Sequence, residues 1–165
     1  MAFEFFRSIA ESDSKLDIPT MGLGLTVLLS QSVSGGALTV LETINAPGFG
    51  PPLHRHHETE VFRVLEGKYL YEVNGKRFYA AAGDLVSVPG GATHTFTNVS
   101  EGPSRQLVLM LPAMDAFRFF SGLGELMAAG RPDMAALNAY GSSWGVEFLG
   151  PPIHDTSQSG TAGSR

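Results

Sequence analysis

The sequence predicts an all-β domain, a barrel or sandwich of short strands followed by short C-terminal helices. Three observations point there. Short runs of apolar and β-branched residues recur from Thr26 to Leu111. Turn residues punctuate them, for the chain holds 20 Gly and 10 Pro, and many short strands with frequent turns argue for a barrel or sandwich. Asn74-Gly75 is a strong hairpin signal, because both positions tolerate positive φ. A length of 165 residues suits one domain, large enough to bury a core without staples.

The elements follow in order. Residues 1–20 read as a polar, partly hydrophobic lead-in ended by Pro19. Residues 26–32 and 37–45 are strand-like, with Ser34-Gly35-Gly36 as the turn between them. Residues 46–52 hold two glycines and three prolines and form a defined loop. Strands are expected at 60–65, 68–73, 77–81, 84–88, 94–99 and 105–111, which puts the barrel core at about residues 20–112. A helical extension occupies 113–155. Phe117, Phe120 and Leu123 recur at helical spacing over 115–123 and cover the barrel. A second helix opens at Arg131-Pro132-Asp133 and stops at Gly141. Residues 145–150 are extended. The single domain thus spans 1–155, and 156–165 is a Ser, Gly and Thr tail without an apolar anchor, expected to be disordered.

Composition excludes several functions. Net charge is −5, with 11 Lys and Arg spread thinly, so no basic patch is available for nucleic acid. The N-terminal Met1–Arg7 carries charge too early for a secretory leader. The longest apolar run, Met21 to Leu29, is far short of the roughly 20 residues of a membrane helix. A cytoplasmic protein without membrane partners is expected. With no cysteine, any metal must be held by imidazole and carboxylate, which suit Fe, Ni, Mn, Co, Cu or Zn.

Five histidines are present, and four call for explanation. His54 and His56, two apart on an extended segment, point to one side and can bind one ion. Glu60 shares their parity, but six extended residues span about 20 Å. The chain must therefore bend at 57–59 to bring Glu60 back. His94, after a Gly-rich turn, completes a three-His, one-carboxylate set with open coordination positions. His57 has the opposite parity and faces away, and His154 reads as surface.

The spacings match two signatures. Gly48, His54, His56, Glu60 and Gly67 fit the first; Gly83, Pro89, Gly91, His94 and Asn98 fit the second. On these ten positions the chain resembles the cupin superfamily, which implies a double-stranded β-helix, or jelly-roll, barrel holding one divalent transition metal. Asn98 is expected to make a structural hydrogen bond. Within the superfamily, Gly50-Pro-Pro-Leu-His-Arg-His-His-Glu58 and Trp144–Pro152 resemble single-domain quercetin 2,3-dioxygenase-like members. Some of those place four residues between the second His and the Glu, where this chain has three.

The resemblance implies a small enolic or aromatic substrate, dioxygen as a partner, a homodimer, and Glu60 as both ligand and catalytic base. Phe62, Tyr69, Tyr71 and Phe96 are candidate pocket residues on inward-facing strand positions, though each is also a natural core residue. Two other functions stay open: a small-molecule-binding cupin without activity, and a cupin isomerase or decarboxylase. The latter needs Lys or Arg inside the barrel, and Arg63 points outward by parity.

Overall fold

The computed structural model describes residues 4–9 and 14–158. Two antiparallel sheets face each other. The first has strands β1 (Lys15–Ile18), β2 (Leu23–Leu29), β3 (Thr39–Asn45), β5 (Thr59–Glu66), β8 (Leu85–Val88) and β10 (Ser104–Leu111), ordered β1-β2-β3-β10-β5-β8. The second has β4 (Leu53–Arg55), β6 (Lys68–Val73), β7 (Lys76–Ala81), β9 (His94–Asn98) and β11 (Glu147–Gly150), ordered β11-β4-β9-β6-β7. Two α-helices lie between β10 and β11, α1 (Ala116–Ala128) and α2 (Met134–Ser142). The fold is an all-β jelly roll with short C-terminal helices.

Alternation fills the interior. Leu23, Leu25 and Val27 of β2, Leu41 of β3, Phe62 and Val64 of β5, and Val108 and Met110 of β10 are buried together. Tyr69 and Tyr71 of β6 meet them from the second sheet. Phe62 packs edge-on against Tyr71 and Phe96, each with ring centroids 5.5 Å apart. The expected Asn74-Gly75 hairpin joins β6 to β7, with both residues at positive φ.

Several boundaries differ from the expectation. Residues 15–18 were read as part of a lead-in but form an edge strand: Leu16 pairs with Leu25 and Ile18 with Leu23, while Lys15 and Asp17 face solvent. β2 begins at Leu23, three residues early, and Gly24 is accommodated inside it. β4 lies among prolines and is only three residues long, so propensity hides it. α1 runs past Leu123 to Ala128, because Gly122 and Gly124 are contact points and not stops. A Cβ at Gly122 would come 2.5 Å from the Tyr140 hydroxyl. Gly141 likewise lies inside α2, where a Cβ would fall 2.4 Å from the Val146 carbonyl oxygen. Asp115 and Asp133 cap the two helices by accepting from the Arg118 and Ala136 N–H groups. Thr156–Gln158, the start of the expected disordered tail, forms a single 3-10 turn. Residues 159–165 of that tail lie outside the described residues, as do residues 1–3 of the N-terminal segment.

Asn98 closes the end of the barrel away from the histidines. Its Nδ2 donates to the carbonyls of Asn45 and Gly102, both at 2.9 Å. Its Oδ1 accepts from Ser100 N–H at 2.8 Å and the Ser104 hydroxyl at 2.7 Å. All four bonds are lost together in Asn98→Ala, leaving buried groups unpaired, so urea denaturation should show a loss of about 3 kcal/mol. A loss below about 1 kcal/mol would show that the 99–103 turn finds other partners.

Candidate metal centre

The metal loop is held by backbone contacts. Gly48 N–H donates to the Asn98 carbonyl at 2.9 Å, and Asn98 N–H donates to the Phe49 carbonyl at 3.0 Å. Gly50 lies so close to β9 that a Cβ would fall 1.7 Å from the Phe96 carbonyl oxygen. β4 then sets His54 directly opposite His94 of β9. The chain bends after His56, as the spacing requires. Gly91 N–H donates to the His56 carbonyl at 2.7 Å, and a Cβ on Gly90 would meet the His57 carbonyl oxygen at 2.1 Å. The turn between β8 and β9 therefore grips the bend, and Glu60 enters β5 facing inward.

His54, His56, Glu60 and His94 each offer one ligand atom, all within 4.8 Å of one another. The imidazoles are aimed by the backbone: His54 Nδ1–H donates to the Pro52 carbonyl at 2.7 Å and His94 Nδ1–H to the Ala92 carbonyl at 3.0 Å. Both Nε2 atoms thus turn to the interior. Glu60 Oε2 lies 2.7 Å from His94 Nε2 and 3.2 Å from His56 Nε2. With the Nδ1 proton of His94 already committed, its Nε2 lone pair can face a carboxylate at 2.7 Å only with a proton or another cation between them. The donor set of three nitrogens and one carboxylate oxygen therefore fits a divalent transition metal, and no thiolate is present to close the site.

Sequence reasoning missed Glu58. It was assigned only to a polar bend, yet it is buried, with Oε2 3.1 Å from His56 Nδ1. The approach is an ion pair and not an aligned hydrogen bond. No spacing rule marks this position, because its role depends on how the bend folds. Electrostatics follow the geometry. Burial opposes charge on His56, but Glu58 and Glu60 outweigh it and raise its pKa to about 9. Burial and then the neighbouring His94 lower that of His54 to about 3. Burial also works against the Glu60 carboxylate, yet hydrogen bonds from His56 and His94 hold it well below the usual range.

His54, His56 and Glu60 of the cluster line one wall of a cavity of about 110 Å³. Leu41, Phe62, Phe96 and Val108 make its waist, and Phe119, Phe120 and Leu123 of α1 cover one side. No Lys or Arg among the described residues lines it. Phe62 and Phe96 are thus placed beside the ligand cluster. Tyr69 and Tyr71 are not on its wall; they lie fully buried behind it, their hydroxyls bonded to Asn45 and Gln106. Phe117 faces solvent, whereas Phe119 and Phe120 reach the cavity. His57 is exposed, and so is Arg63. His154 lies on an outer groove of about 720 Å³ that shares Met21, Pro52, Leu123 and Phe148 with the cavity.

Two outcomes are expected of metal binding. Metal content after dialysis should fall at least about tenfold in His94→Ala, and affinity should weaken about 10–100-fold in Glu58→Gln, which leaves every ligand in place. Undiminished metal in His94→Ala would sink the ligand set. The second concerns pH. In the metal-free chain His56 carries its proton below about 9, and a ligating nitrogen must give it up. Metal uptake at neutral pH should release at least about one proton per ion, and affinity should climb with pH until His56 titrates, then level. Calorimetry in buffers of different ionisation enthalpy measures this, and no net release at pH 7 would contradict it.

Residues 41–110 match the family model described as "Cupin domain". Among curated proteins, 97 residues are 22% identical to the HTH-type transcriptional regulator PuuR of Escherichia coli (strain K12), over 59% of this chain and 52% of that protein. The chain thus spans about half the length of the curated relatives it matches. An RmlC-like cupin from Shewanella frigidimarina superposes with a TM-score of 0.60 at 23% identity, covering 71% of this chain and 99% of that one. Ectoine synthase from P. lautus does so with a TM-score of 0.57 at 17% identity, covering 90% of each. No helix among the described residues is long and apolar enough to cross a membrane. The match to the cupin domain model covers residues 41–110, and the chain shares the jelly-roll fold of the RmlC-like cupin structure.

Proposed function

We propose that the chain is a metal-dependent dioxygenase of quercetinase type, acting on a small, uncharged enolic or aromatic substrate. The observation that carries this reading is an open nitrogen and oxygen donor set on the wall of an apolar cavity that no Lys or Arg among the described residues lines. Sugar phosphates and carboxylic acids would need such a cation, which counts against the isomerase and decarboxylase readings. The cavity, about 110 Å³, is below the roughly 300–1,000 Å³ of pockets for drug-sized ligands. A single ring suits it better than a three-ring flavonol.

A divalent metal held by the four ligands supplies Lewis-acid polarisation of an enol oxygen and electron exchange with dioxygen. The chain's own residues do the rest. Glu60 borders the cavity and accepts the enol proton. While His56 and His94 both donate to it, it is a weak base; with those nitrogens deprotonated its basicity rises. Phe62 and Phe96 hold the ring flat against the ligand cluster, and the apolar waist keeps water from a reactive carbanion-like enolate.

The similarity to a transcriptional regulator favours a second reading, in which the same cavity binds its ligand without turning it over. Oxygen uptake separates the two. Protein reconstituted with Fe, Ni, Co, Mn, Cu or Zn is mixed with quercetin and with single-ring hydroxypyranones and catechols. Uptake should appear with at least one redox-active metal, be faster with the single-ring substrates, and drop about 100-fold or more per bound metal in Glu60→Gln. No uptake with any pairing removes the dioxygenase and leaves the binding module.

A further inference from the structure

The cavity has a second polar end. Four residues along β5 separate Glu60 from Val64, a rise of about 13 Å. At the Val64 level the first sheet presents Gln106, whose Cα partners are Val64 on one side and Thr43 on the other. Thr43 and its neighbour Asn45 line the cavity, beyond the waist of Leu41, Phe62 and Val108. This far end is buried: Gln106 is 0% and Thr43 6% exposed.

Two polar atoms there have no aligned hydrogen-bond partner among the described residues, the Thr43 hydroxyl and Gln106 Nε2. Their neighbours are committed. The Tyr71 hydroxyl donates to Gln106 Oε1, and the Tyr69 hydroxyl donates to Asn45 Oδ1 at 3.0 Å. Burial pushes both phenols up, so they stay protonated and keep donating. Gln106 is thereby held between the two phenols, its amide nitrogen on the Tyr69 side, and the Thr43 hydroxyl is the group left free. A buried polar group without a partner costs about 1–3 kcal/mol, and apolar residues of similar volume would spare it. Val in place of Thr43 would fit a cross-strand position on this sheet equally well.

We propose that Thr43, backed by Gln106, is a recognition site for a hydroxyl or carbonyl group at the end of the substrate remote from the metal ligands. The substrate class is then a compact bifunctional ring: an enol-ketone edge at the His and Glu cluster, an apolar body at the waist, and one uncharged hydrogen-bonding substituent at the far end. This rests on the cavity being the substrate site, and it specifies what the substrate carries there.

The test uses binding, so its failure is separable from failure of the oxygenase reading. Zinc-loaded protein cannot turn over substrate by redox chemistry. Two hydroxypyranones are titrated into it by calorimetry: kojic acid, which bears a hydroxymethyl group, and allomaltol, in which a methyl replaces it. The wild type should prefer kojic acid by about tenfold, the worth of one good hydrogen bond. Thr43→Val should abolish the preference by weakening kojic acid alone, and Thr43→Ser, which keeps the hydroxyl, should retain it. No preference in the wild type, a preference that survives Thr43→Val, or no binding of either pyranone would each overturn the proposal. An inactive oxygen-uptake assay would leave it standing.

Discussion

Five ionisable side chains share one desolvated volume in this barrel, and a cation among them is what makes the arrangement tolerable. His54, His56 and His94 aim nitrogens at Glu60, while Glu58 stands behind His56. Lone pairs at these separations repel unless protons or a metal lie between them. Two buried carboxylates without positive charge would cost several kcal/mol each. The surrounding structure is arranged to enforce the convergence and not to relieve it. Backbone carbonyls at Pro52 and Ala92 take up the Nδ1 protons, and the Gly90-Gly91 turn fixes the bend from outside the cluster.

This constraint explains why the two sheets carry different chemistry. The second sheet supplies His54 and His94 from paired strands, a rigid baseline for two ligands. The first supplies Glu60 at the start of β5, where its Cα partners are Val88 and Met110. His56 belongs to neither and hangs on the bend between them. It is the ligand with least secondary structure to hold it, and it is the one with a buried carboxylate at its back. A carboxylate behind a ligating imidazole both orients the ring and raises its basicity. Glu58 thus does for His56 what a strand and a backbone carbonyl do for His54 and His94.

Much of this was legible in the sequence, for identifiable reasons. The convergence of His54, His56, Glu60 and His94 could be read because a shared metal site imposes spacing, and the bend between His56 and Glu60 followed from chain length alone. The strands from β5 to β10 fell close to their expected limits because turn residues bracket them. What escaped was whatever depends on close approach between distant segments. Gly141 reads as a stop, yet it marks where Val146 presses against α2, and Gly122 and Gly124 mark where Tyr140 and Ile18 press against α1. Tyr69 and Tyr71 have the parity of pocket residues, but the bulk of Phe62 and Phe96 stands between them and the cavity, so they became its support. Glu58 and Thr43 look like ordinary polar residues in one dimension. Their meaning comes from what is left beside them once everything else has paired.

The distribution of polar groups along the cavity limits what it can hold. An apolar waist between two polar ends rejects a ligand of uniform character: a hydrocarbon would strand the Thr43 hydroxyl, and a sugar would bury hydroxyls against Leu41, Phe62 and Val108 without partners. An acid fares no better, since no Lys or Arg among the described residues lines the wall to meet it. The enclosed volume limits the body to about one ring. Selectivity in such a site comes more from the cost of mismatched polar groups than from the gain of matched ones, because each unpaired buried group carries its full desolvation penalty while a satisfied one returns only the net of exchange with water. The same asymmetry governs the metal end, where the unpaired state of Glu60 is the costly one. On the proposed reading, both ends of the cavity select by the same physical rule, applied once to a metal ion and once to a substituent.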